Sequence, residues 1–489
     1  SNTFDIRDAA SILPGLGKFD PSGSCLIDLA GRSDSGDPGV FLWNGSVTFT
    51  GVGFKPPVAG GPVSGLTGVA RFKGNRMETS LMSAQIGGSA IQGNCRMRNF
   101  REAKVACQFD TPLLRSADVG LQASGGEVNF QDVKGRIIFG DKRLRISRLS
   151  FKVGKSIFIL SGDVPDRADP GIAVSLNAPY IHSDDVARLM TLTYPKKDDD
   201  GPSRVVIDLT LHADAGVLNG FDFKKLDAGL KYAEGILTVE TLEAGILEGS
   251  LKGKGRVEIR PDGRNRYQAK FSLDQISLEK FKVLLDIGDR TLTGKLSLSG
   301  DITATGNNVD DFRKTAIGTF KVRAEKGVLK KFSVFSKIFS LLNVAQLLKF
   351  QLPDMATDGM PYTSITASLS LKNGVFSSAD FLIDSDAIDI SGVGKIDLLK
   401  KRLDNIVGVH PLGTLDWIAA RIPIAGWVLT DEDGHLITVH FKVEGNWDDP
   451  QVSPIPAQSL AKGTLDTFRR LFQLPEKLIT DTGDVIFGR

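Results

Sequence analysis

The chain has 489 residues, with 60 Lys+Arg against 58 Asp+Glu and a formal net charge of +2, so no strong overall field draws it to nucleic acid or another polyanion. Cys25, Cys95 and Cys107 are its 3 cysteines, too few for a disulfide scaffold and without CxxC or a metal-ligand cluster. No stretch is apolar for the roughly 18 residues a bilayer-spanning helix needs, and 53 glycines against 21 prolines suit strands, turns and bulges better than a helical protein.

Ser1 is not followed by the basic segment and apolar core of a signal peptide, which is expected of a processed or trimmed chain. "GNCRMRNFREAKVACQF", read as a hairpin centred near Arg101, sets Cys95 opposite Cys107, where either a disulfide or two unpaired thiols would fit. "SDDVARLMTL" predicts a helix with Ser183 and Asp184 as caps. "VVIDLTLH" then alternates, with Val205, Ile207, Leu209 and Leu211 on one side. In "LKGKGRVEI", Leu251, Gly253, Gly255, Val257 and Ile259 oppose Lys252, Lys254, Arg256 and Glu258. A short helix is expected near Ile276 to Leu285, followed by a strand that aligns Leu292, Gly294, Leu296 and Leu298.

A longer helix is expected from Phe332 to Phe350, with an apolar arc wider than one packing stripe and a narrow seam of Lys337, Ser340, Asn343, Gln346 and Lys349. It fits either a plug at the end of a sheet core or a helix that contacts lipid or a partner. "DAIDISGVGKIDL" sets Ile388, Ile390, Gly392, Gly394, Ile396 and Leu398 opposite Asp389, Ser391, Lys395 and Asp397. A helix from Gly413, a strand aligning Ile437, Val439, Phe441 and Val443, and a basic amphipathic helix from Ser459 complete the series. A looser unit of strand, turn, strand, bend and glycine-bearing strand recurs at uneven spacing, as in "METSLMSAQIGGSAIQGNCRM" and "RLRISRLSFKVGKSIFILSGDV". Turns or linkers fall at "GRSDSGDPG", "PDRADPG", "PKKDDDGPS", "PDGRNR", "TGNNVDD" and "GNWDDPQVSPIP". The expected segments are residues 1–200, a β-groove or sandwich-like part; 201–330, a continuing meander; 331–456, a β region with an amphipathic helix; and 457–489, a helical extension.

These helices are too few to cover a long sheet with one apolar face, so the sheet must curl on itself, face another sheet or hold an apolar ligand. The expected fold is mainly β: an elongated, twisted antiparallel sheet forming an incompletely closed hydrophobic groove, with a few short helices.

Polar chemistry is sparse. The five histidines form no HxxxH or HExxH pattern, and His435 and His440 have opposite strand parity. Asp384, Asp386 and Asp389 lack a calcium-loop pattern, and Asp384 and Asp386 suit a bend. Asp433-Gly434 is a hairpin-turn signal. No nucleophile-elbow or phosphate-loop motif is present. The expectation is therefore no enzyme, no catalytic residue and no metal.

The helix from Phe332, "GVFSSADFLIDSDAIDISGVGKIDL", "VHPLGTLDWIAARIPIAGWVL" and "HLITVHFKVEGNWDDPQVSPIP" resemble, in this order, the carboxy-terminal region of bacterial AsmA-like proteins, in particular their YhdP and TamB-like branch of bridge-like lipid-transfer proteins. The resemblance covers about Phe320 to Pro456 and is only architectural before that. It implies the periplasmic part of an inner-membrane-anchored protein of Gram-negative bacteria, its amino-terminal anchor absent from this sequence. Such a protein binds phospholipid acyl chains and supports lipid transport between inner and outer membranes and outer-membrane homeostasis. The implied ligand is phospholipid or another fatty-acyl molecule, with no other cofactor. The implied partners are the inner and outer membranes and an envelope protein, without nucleic acid.

On this reading the groove wall takes Leu251, Val257, Ile259, Leu292, Leu296, Leu298, Phe381, Ile383, Ile388, Ile390, Ile396, Leu398, Ile437, Val439 and Phe441. The membrane or groove-end helices take Phe335, Ile338, Phe339, Leu342, Leu348, Trp417, Ile422, Trp427, Phe468, Leu471 and Phe472. A non-enzymatic scaffold for outer-membrane protein assembly is the alternative, and an envelope hydrolase a more distant one.

Overall fold

In a computed structural model the alternating sequence becomes a mainly β protein whose strands pair largely with their chain neighbours. The structure describes residues 2–7, 20–34, 37–55, 61–100, 104–140, 143–165, 171–193, 206–218, 220–285, 291–330, 332–341, 359–386, 388–411 and 438–456, with isolated positions from 459 to 470. Backbone contacts divide the chain into two compact units, Ser1–Ala244 and Gly245–Arg489. Among the described residues no strand pairing closes either unit into a barrel.

In the first unit the ladder meanders antiparallel from Asn2–Asp5 to Gly171–His182, and the Cys95–Cys107 pair, directly opposite in register, is a disulfide. Among the described strand pairings the all-antiparallel expectation fails where Gly171–His182 pairs in parallel with Val206–Leu218. A parallel neighbour requires a crossover rather than a hairpin, and the intervening chain supplies one that includes the helix Ser183–Met190. That helix is capped by His182, whose Nδ1 accepts the Asp184 N–H at 3.4 Å, rather than by Ser183 or Asp184.

A carboxylate latch recurs in two of the strand–turn–strand units of the first unit. The Asp118 carboxylate accepts the Gly88 N–H at 3.0 Å and the Ser89 hydroxyl at 2.6 Å, while Ser89 Oγ accepts the Arg115 N–H at 3.2 Å. The Asp185 carboxylate accepts the Lys155 N–H at 2.8 Å and the Ser156 hydroxyl at 2.8 Å, while Ser156 Oγ accepts the His182 N–H at 2.9 Å. Serine and aspartate are 29 residues apart in both cases, and serine and backbone donor 26. Each latch ties a tight turn to the first turn of a later helical segment, satisfying N–H groups that the turn leaves unpaired.

Close packing of the sheets uses glycine opposite an aromatic ring. Gly31–Trp43, Gly216–Phe223, Gly300–Phe320 and Gly392–Phe381 are all cross-strand pairs. A Cβ on Gly300 would sit 2.5 Å from a Phe320 ring carbon, and one on Gly216 2.5 Å from the Phe223 ring, so only glycine lets the ring lie across the neighbouring strand.

In the second unit strands run antiparallel from Gly249–Glu258 through Asn265–Ser277, Lys295–Gly306, Ile317–Lys330, Met360–Lys372, Val375–Asp384, Ile388–Asp397, Arg402–Pro411 and Val439–Asn446 to Gln451–Ile455. Helix Leu278–Leu285 falls where a helix is predicted, although Ile276 and Ser277 belong to the preceding strand. Val309–Thr315, read from sequence as a turn, is a helix because Asn308 Oδ1 accepts the Asp311 N–H at 2.8 Å, an asparagine N-cap. The helix expected from Phe332 runs Ser333–Leu341 within the described residues; its expected continuation and the helix from Gly413 lie outside them.

Candidate functional site

Strand parity in the second unit gathers the apolar residues on one face. Leu251, Leu273, Leu298, Val322 and Ala367 form one cross-strand row, and Gly253, Phe271, Gly300, Phe320 and Leu369 the next. Period-2 alternation places the lysines, serines and carboxylates of the same strands on the other face.

Two packing regimes divide this apolar face. At one end helix Ser333–Leu341 lays Ile338 and Phe339 into a core with Leu296, Ile365, Ile383, Ile388, Ile390, Val409, Val439 and Phe441. Ile390 is 0% exposed. The helix is anchored there by Lys337 Nζ, which donates to Asp449 Oδ1 and, at 2.7 Å, to the Pro450 carbonyl. Beyond it lies a smaller cluster of Ala304, Ala316, Phe320 and Leu371 with partly buried Phe271, Leu298, Phe312 and Phe376. The rings of Phe271, Phe320 and Phe376 follow one another at centroid distances of 6.3 and 5.8 Å.

The expected wall residues accordingly fall into classes. Leu296, Ile383, Ile388, Ile390, Val439 and Phe441 are core residues in the cluster with the helix, as are Ile338 and Phe339, with Phe335 half-buried against them. Leu292, Leu298 and Phe381 are half-buried on that cluster's margin. Leu251, Val257 and Leu398 are half-buried. Ile396 is 37% exposed and Ile259, just past its strand, 52%. Leu342, Leu348, Trp417, Ile422, Trp427, Ile437, Leu471 and Phe472 lie outside the described residues.

Phe468 lies on the other face. Its ring packs edge-on against His440 with centroids 4.9 Å apart, and it approaches Gly408, the cross-strand neighbour of both Ser391 and His440. Burial there leaves Ser391 Oγ and His440 Nε2 without hydrogen-bond partners and lowers the His440 pKa to about 4. Asp389, on the same face by parity, is pushed up to about 6 by burial and then by the charge of Asp384. This second buried layer was not legible, since alternation alone assigns Asp389 and Ser391 to water. Ser385 makes the bend expected of the acidic stretch, its hydroxyl donating to the Ile388 carbonyl at 2.6 Å. Among the described residues no three His, Cys, Asp or Glu side chains are grouped to hold a metal, and no helix is long and apolar enough to cross a membrane.

A meandering β-sheet with one apolar face, partly roofed by a single short helix, defines a class of β proteins built around an extended hydrophobic surface. The family model described as YhdP protein matches residues 121–452, and the chain belongs to that family. The match begins about 200 residues before the carboxy-terminal region in which the motifs are most specific, so much of the preceding meander belongs to the family as well. No curated protein and no solved structure matches the chain.

Proposed function

We infer that the protein binds phospholipid acyl chains on the apolar face of its second unit, in the periplasm, and supports lipid movement between the inner and outer membranes without catalysing a reaction. The observation that carries this reading is the pair of cross-strand apolar rows from Leu251 to Ala367 and from Gly253 to Leu369, in which Leu251, Phe271, Leu273, Leu298, Val322 and Leu369 are only half-buried while Phe320 and Ala367 are buried. Water-exposed apolar surface costs about 25 cal/mol per Å² relative to burial, and acyl chains relieve that cost without directional polar contacts. Membership of the YhdP family supports the envelope role, and the Cys95–Cys107 disulfide is compatible with an oxidising compartment.

Mass spectrometry of protein purified from membranes tests this reading. Phospholipid should accompany the parent chain and be depleted in Leu251→Asp and Ile396→Asp, both sites where a carboxylate retains access to water. Lipid-free parent protein of unchanged fold would contradict it. The scaffold alternative predicts instead a saturable protein partner whose binding is indifferent to both substitutions.

A further inference from the structure

Phe468 occupies a seat shaped for an aromatic ring. A Cβ on Gly408 would lie 3.2 Å from the Phe468 ring, 3.2 Å from Thr438 Cγ2 and 3.1 Å from Ser391 Oγ, so the bare glycine is the floor on which the ring rests. His440, cross-strand from Gly408, is the wall against which the ring stands edge-on. The segment that brings Phe468 there is helical at Gly463, Thr464, Thr467 and Phe468, and Thr467 donates its hydroxyl to the Gly463 carbonyl at 2.9 Å. It lies past residue 452, where the family match ends.

What the ring covers does not suit it. Strand alternation lays polar side chains on this face, and Phe468 helps seal two of them from water: Ser391 is 0% exposed and His440 5%, and neither Ser391 Oγ nor His440 Nε2 has a hydrogen-bond partner. Two unpaired polar atoms offset what burial of the ring gains, and lifting the ring returns both to water. A proton on His440 tips this balance, because the imidazolium would aim a charged N–H from Nε2 into a space without an acceptor.

The groups around His440 supply no counter-ion. On its own strand Lys442 is paired with Glu444. On Arg402–Pro411, His410 has its Nδ1 3.3 Å from the Thr438 hydroxyl, and burial lowers its pKa. Gln451–Ile455 carries no charge, and Asp389 is the cross-strand partner of His410 rather than of His440. Lys395, Asp404 and Glu444 form a cross-strand row further along the same face. In the covering segment Arg470 is the charged member among the described residues, and it is exposed.

We propose that the segment bearing Phe468 is an acid-released strap, docked on Gly408 at neutral pH and lifted when His440 takes up a proton, which bares the polar face of the last strands. Burial lowers the His440 pKa from 6.5 to about 4, so docking is fully favoured above 6.5 and weakens as pH falls toward 4, by up to on the order of a hundredfold. Asp389, raised to about 6, is neutral over most of that range and offers no compensating charge.

Fluorine NMR of the full chain with 4-fluorophenylalanine in place of Phe468 tests the strap. A docked resonance is expected at pH 7.5, moving to a solvent-like position between pH 6.5 and 4 while the amides of strand Ile388–Asp397 keep their exchange protection. His440→Gln should hold the resonance docked throughout, and Asp389→Asn should not. Gly408→Val, whose side chain fills the seat, should give the solvent-like position already at pH 7.5 with the strand still protected. The proposal is overturned if the parent resonance stays docked to pH 4, if it moves equally in His440→Gln, if it moves only as the strand loses protection, or if Gly408→Val leaves it docked.

Discussion

Ile338 is the deepest residue of the roofing helix, 0% exposed and packed in the cluster with Ile383, Ile390, Val409 and Phe441. Ile338→Ala removes three carbons from that contact, about 2.4 kcal/mol at 0.8 kcal/mol per buried methylene. A cavity term raises the loss to about 3–5 kcal/mol, offset by a few tenths from alanine's better helix propensity. Leu341, in the last turn of the same helix and 38% exposed, is the matched control, and Leu341→Ala should cost about 1 kcal/mol or less. Hydrogen exchange read on peptides spanning Ile383 to Ile390 reports opening of this unit alone. Faster exchange should appear in Ile338→Ala and be small in Leu341→Ala. If the two variants lie within about 0.5 kcal/mol of each other, the helix does not seal this end of the apolar face.

The pH response of the same unit should separate two buried groups of opposite sign. Asp389, raised from 3.8 to about 6, contributes stability below the unfolded value and loses it as pH rises toward 6. His440, lowered from 6.5 to about 4, contributes above the unfolded value and loses it as pH falls toward 4. Urea midpoints at pH 4.5 and 6.5 should therefore shift in Asp389→Asn toward relatively greater stability at 6.5, and in His440→Gln toward 4.5; midpoints that move in parallel with the parent would refute the assignment. In the first unit, Asp185→Ala strands the donors of Lys155 and Ser156 at a site where the carboxylate is buried, a loss of about 3 kcal/mol. It should show as faster exchange in the turn at Gly154; unchanged exchange there would remove the latch from the account.

Much of the second unit was readable because its information is local. Alternation in "LTGKLSLSG" and "DISGVGKIDL" fixes which residues share a face, and the observed register keeps Leu296, Leu298, Ile390 and Ile396 on one side. Period 2 says nothing of what covers a face, so it could not separate Ile390, sealed in the core, from Ile396, at the surface. Nor could it show that Phe468 closes over His440 on the supposedly wet side. The parallel pairing of Gly171–His182 with Val206–Leu218 is a tertiary choice with no local signature. The Asn308 cap was legible in "NNVDD" as asparagine three residues before aspartate, but the same letters also spell a turn. The latches join residues 29 apart, so only the recurrence of "GGS" and "GKS" in the repeated unit hinted at them.

The central claim is that lipid lies along one face of the second unit's sheet and not the other. A photoreactive phenylalanine analogue placed singly at Phe271, Leu298, Lys270 and Ser299 and irradiated in membranes tests this residue by residue. Phospholipid adducts are predicted at Phe271 and Leu298 and not at their chain neighbours Lys270 and Ser299, following the period of the strand. Equal lipid labelling on both faces, or no lipid adduct at any of the four positions, would contradict it.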